Sequence, residues 1–127
     1  MNVLFKMNDG GSNLDLNKVV CIYVEGESHS TEELKMLEAM MAAIHIKMEK
    51  VELVHYTSPV DRLPNNFRTV FIFGLIPGSL DNLEIKLNHT LYLEGKVVLA
   101  TYSLSALHGD KNKKLALWKI LQSTFLN

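Results

Sequence analysis

The chain has a single cysteine, almost no net charge and no long apolar run, and each shortage removes a class of protein. Cys21 alone cannot close an intramolecular disulfide. Set in the apolar run VVCIYV, it reads as a buried, inert thiol. Thirteen basic against fourteen acidic residues leave a formal charge of −1. No long-range field therefore draws the chain to nucleic acid or to an anionic bilayer. No stretch approaches the roughly 20 apolar residues of a membrane helix, and the N-terminal MNVLFKMNDGG is too short an apolar segment for a signal peptide. The expected location is the cytoplasm. There is also no internal repeat and no low-complexity segment. What is present is ample apolar material: 127 residues at 47% hydrophobic content fit one compact domain with a sizeable core.

Residues 1–17 read as a flexible tail, and 18–127 as a single α/β domain. The tail pairs a small apolar cluster (Val3, Leu4, Phe5, Met7) with the turn-rich NDGGSN. Lys18 to Glu25 is continuously apolar from Val19 to Val24 and rich in β-branched residues, the pattern of a strand covered on both faces. Ser30 with Glu33 then fits a capping box, and Glu32 and Glu33 suit a helix N-terminus. Leu34, Leu37, Met41 and Ile44 recur at three- and four-residue steps, so an amphipathic helix is expected to about residue 46. KVELVHY (50–56) alternates as a second strand nearer an edge, and 68–74 reads as a third, apolar throughout. Residues 91–93 and 96–101 give a hairpin-like or central fourth strand around Glu94-Gly95. Asp110 caps a last helix from Lys111 to about Phe125, with Leu115, Trp118, Ile120 or Leu121, and Phe125 expected inward. Apolar strands separated by helices imply a mostly parallel sheet of about four strands in a three-layer α/β/α arrangement.

In such sheets ligands sit beyond the C-terminal ends of the strands, and three ends carry polar residues. VEGESHS (24–30) offers Glu25, Glu27 and His29 for general base chemistry, although acidic residues before a helix also serve as caps. FGLIPGS (73–79) breaks an apolar run with glycine and proline, but it lacks the lysine and Ser/Thr of a phosphate loop and reads as a turn. In ATYSLSALHGD (100–110), Ser103 or Ser105 with His108 and Asp110 contains the residue types of a nucleophilic triad. No G-x-S-x-G elbow surrounds either serine, and capping is the alternative role. The five histidines show no metal-ligand spacing, so neither a metal nor another cofactor is expected. Lys111, Lys113 and Lys114 are the candidate phosphate or DNA contacts, with no aromatic platform interleaved.

Three segments resemble the psi subunit of bacterial DNA polymerase III, a small accessory protein of the clamp loader. They are ELKMLEAMMAAIHIKMEKVELVHY, TVFIFGL and, above all, GKVVLATYSLSALHGDKNKKLALWKIL, together within residues 18–125. The motif elements are Ser103-Leu104, Leu107 and the triplet Ala116-Leu117-Trp118. The resemblance implies a fold like that of uracil-DNA glycosylases and a non-enzymatic role linking the clamp loader to partner proteins, a chi-like subunit among them. DNA contact would be indirect or weak, and no membrane is involved. It also implies a tail that binds the loader, for which Leu4, Phe5 and Met7 are the candidate contacts. The tail is shorter than is usual in that family and lacks a tryptophan. As a glycosylase the chain departs from pattern: Thr101-Tyr102 stand where a histidine and proline are expected, and Tyr102 or Phe73 would have to stack a flipped base. The alternatives are a divergent glycosylase-fold enzyme or nucleotide-binding protein, and a homodimeric interaction domain.

Overall fold

The computed structural model describes residues 19–57, 64, 66–74, 79–80, 83–93 and 95–126. Strand β1 (Val20–Glu25) leads into helix α1 (Thr31–Ala43), a 3-10 turn (Met48–Lys50) and β2 (Val51–Tyr56). Then follow β3 (Thr69–Phe73), the short β4 (Ser79–Leu80) and β5 (Leu83–Glu84), the hairpin β6 (His89–Leu93) and β7 (Lys96–Thr101), and helices α2 (Leu104–His108) and α3 (Lys111–Phe125). β2, β1, β3, β7 and β6 form one sheet in that order, and β4 and β5 pair separately. β2, β1, β3 and β7 are parallel and β6 runs antiparallel on β7, so the fold is α/β with a five-stranded, mostly parallel mixed sheet. The expected strand count is short by one, because 89–93 and 96–101 are two full strands of the same sheet. β2 lies at the edge its alternating pattern suggested.

Register sorts the two faces. Leu53, Ile22, Phe71 and Leu99 form one row across β2, β1, β3 and β7. This row belongs to a core cluster that also holds Leu37 and Met41 of α1, Leu104 and Leu107 of α2, and Leu117 and Leu121 of α3. Cys21, Val70 and Val98 form the neighbouring row on the opposite face, where Phe67 and Ile85 from the connecting segments cover them. Every helix among the described residues thus packs on one face. A second helical layer, as in the three-layer expectation, is not among the described residues. Burial of side chains such as Ile22, Phe71 and Leu117, all at 0% exposure, contributes about 1.5–3 kcal/mol each.

Two expectations need correction. α1 stops at Ala43 rather than near residue 46, because His45 takes a left-handed φ of 67°. Its N–H donates to Ala42 O (3.0 Å) and that of Ile46 to Met41 O (2.8 Å), a Schellman closure made without glycine. In α3, Leu115 is 51% exposed, and the buried line is Leu117 and Leu121, flanked by half-buried Trp118, Ile120 and Phe125. At about 100° per residue, position 115 stands roughly 160° away from position 117 around the helix. The N-termini follow expectation. Ser30 and Glu33 close a reciprocal capping box, and Asp110 accepts from Asn112 N and Lys113 N.

Candidate functional site at the strand ends

The chain adds β2 on one side of β1 through α1, and reaches β3 on the other side of β1 by a connection whose Phe67 packs on the opposite face. The order therefore reverses between β1 and β3, and the crevice beyond their C-terminal ends is the place where open α/β sheets bind ligands. Backbone bonds tie each wall of this crevice to its outer neighbour past the strands. Gly26 N–H donates to Tyr56 O (2.7 Å), and Gly74 N–H to Thr101 O (3.1 Å).

The residues that meet there come from three strands. Gly74 has φ +134°, and a β-carbon on it would lie 2.6 Å from Glu25 Oε1 and 2.9 Å from the Tyr56 hydroxyl. The Glu25 carboxylate and Tyr56 hydroxyl thus pack directly over the Gly74 backbone. The hydroxyl also donates to Phe73 O at 3.4 Å. Burial, with the Glu25 charge adding to it, pushes the Tyr56 phenol up to about 12, so it remains a proton donor. On the β7 side, Thr101, fully buried, donates from Oγ1 to Asn88 Oδ1 (2.6 Å), and Asn88 N–H donates to Ala100 O (2.8 Å). The segment before β6 is thereby tied to the end of β7.

Glu25, Glu27 and His29 do not assemble as a general-base group. His29 Nε2 lies 2.7 Å from the backbone oxygen of Glu25, which requires the ring N–H there, and Glu27 is exposed. The bond places a ring proton on Nε2, and Nδ1 is buried and without a hydrogen-bond partner. The His29 ring packs instead against His55, at the end of β2, with centroids 5.2 Å apart. Spacing along the chain carried no sign of this pair; strand adjacency creates it. Among the described residues, no group of three or more His, Cys, Asp or Glu is placed to hold a metal.

At the end of β7 the triad-like residues serve as caps. Ser103 Oγ accepts from Ala106 N (3.2 Å), and Asp110 Oδ1 accepts from Asn112 N (2.9 Å) and Lys113 N (3.1 Å). Of the candidate phosphate contacts, Lys111 is exposed and Lys114 half-buried, while Lys113 lies 3.7 Å from Asp110 Oδ2 and 4.7 Å from the Tyr102 ring centroid. Phe73 is 1% exposed, packed with Phe71, and so not available to stack a flipped base. Leu4, Phe5 and Met7, and residues 75–78 of the third strand end, lie outside the described residues.

These features define an α/β protein with a mostly parallel mixed sheet and its own side chains packed at the switch point. No family model matches the sequence, and no curated protein does. No helix among the described residues is long and apolar enough to cross a membrane.

Proposed function

We propose that the protein is a non-enzymatic replisome adaptor resembling the psi subunit of DNA polymerase III, working in the cytoplasm by joining the clamp loader to partner proteins. The observation that carries this reading is the packing of Glu25 and Tyr56 over Gly74, where the chain's own groups occupy a place that an α/β enzyme keeps open for substrate. The segment with the strongest resemblance folds as β7, α2 and α3, with Ser103 capping α2, Leu104 and Leu107 buried, and Leu117 and Trp118 packed into the helix-face core. In this reading the fold is a relative of the uracil-DNA glycosylases that has lost the chemistry. The tail residues Leu4, Phe5 and Met7 contact the loader, a chi-like subunit binds the folded body, and DNA is touched only indirectly or weakly, through Lys111, Lys113 and Lys114.

The test is size-exclusion co-elution of the full chain with its own organism's clamp-loader complex, beside a chain lacking residues 1–13. Co-elution that is lost on truncation supports the adaptor role. Absence of co-elution by the full chain, or release of uracil from a labelled oligonucleotide, overturns it.

A further inference from the structure

α1 carries more apolar surface than the sheet uses. Leu37, Met41 and Ile44 face the core, while Met36, Met40 and Ala43 repeat at the same spacing on the flank. That flank packs only partly against the core. It lines, with Ala39 and Trp118, an almost wholly apolar cleft of about 270 Å³. Drug-sized ligands fill pockets of about 300–1,000 Å³, so this cleft suits a few side chains. A stable contact with a second copy requires about 800 Å² from each partner, which a cleft of this size does not supply by itself.

The fold also brings a candidate occupant beside it. Because β1 and β2 are parallel, α1 returns against them and its last residue, Ala43, lies at the edge where both strands begin. The chain enters the sheet at that same edge, where Val19 N–H donates to Lys50 O (3.1 Å). Residues 8–18, eleven in number, separate the apolar cluster Val3, Leu4, Phe5 and Met7 from this entry point. At about 3.3 Å per residue they reach about 35 Å, against about 10 Å from Ala43 to Met36 along the helix. A tether of this kind gives an effective concentration in the millimolar range, so even a weak contact is populated.

We propose that residues 3–7 dock in cis into the α1–α3 cleft, with Leu4 and Phe5 as the anchors. The tail is then sheltered until a competing partner draws it out. This inference does not rest on the clamp-loader reading, since it concerns the isolated chain.

Trp118, the only tryptophan, lines the cleft and reports on it. Acrylamide quenching of Trp118 should rise about twofold in the full chain carrying Leu4→Asp and Phe5→Asp, as expected when a site occupied about half of the time or more is emptied. Ala42 and Ala43, both exposed, lie on opposite flanks of α1, and only Ala43 lines this cleft. In an Ala43→Arg background the tail substitutions should have no further effect; in an Ala42→Arg background they should act as in the parent. Quenching that ignores the tail substitutions, that depends on protein concentration, or that is coupled to Ala42 rather than Ala43 overturns the proposal.

Discussion

Glu25 and Gly74 lie against each other across the junction of β1 and β3, so close that a β-carbon on Gly74 would fall 2.6 Å from Glu25 Oε1. Both the space and the φ of +134° demand glycine. Gly74→Ala should lower stability by about 2–4 kcal/mol, from left-handed strain and overpacking together. Urea unfolding should show a lower midpoint with an unchanged slope. A midpoint within error of the parent would mean that Glu25 and Tyr56 move aside freely and that the crevice opens.

The two leucines of α3 separate core from surface. Leu117, fully buried, should cost about 2–5 kcal/mol on substitution by alanine. Leu115, 51% exposed, should change stability by no more than about 0.5 kcal/mol. Thermal unfolding of the two variants side by side measures the contrast, and equal effects would contradict the orientation of α3.

Helix starts offer a third check. Asp110→Ala removes the acceptor of two backbone N–H groups, and Ser30→Ala opens the capping box of α1. Each should cost about 1 kcal/mol. The Asp110 ion pair with Lys113 is partly exposed and adds little, so Lys113→Met should fall well short of Asp110→Ala in chemical denaturation.

Alkaline titration follows from one buried and two half-buried groups. Burial raises the Cys21 thiol from 9.0 to about 11, and raises Tyr23 and Tyr56 from 10.0 to about 12. Between the unfolded and folded values the unfolded chain has released protons that the native state retains, so stability falls as pH rises. The loss should begin near pH 9 and continue through about 12, read as urea midpoints across that range. Cys21→Ala should flatten the earlier part, between 9.0 and about 11. At pH 8 the thiol should react slowly with a thiol reagent until the protein is unfolded.

What the sequence determined by itself is local. β1 and β3 were legible because strands buried on both faces are apolar at nearly every position, and the starts of α1 and α3 because Ser30, Glu33 and Asp110 act on backbone groups two or three residues away. The end of α1 was not, since His45 adopts a left-handed conformation that glycine normally announces. Helical period also put Leu115 on the inward face of α3, and packing on the sheet chose Leu117 instead. Strand order lies beyond local pattern altogether. Gly74 meets Glu25 and Tyr56, and His29 meets His55, only because β2, β1 and β3 pair side by side in parallel register. Such contacts join residues far apart in the chain, whose pairing is decided by how the whole sheet buries its two faces, and it is there that the site was made.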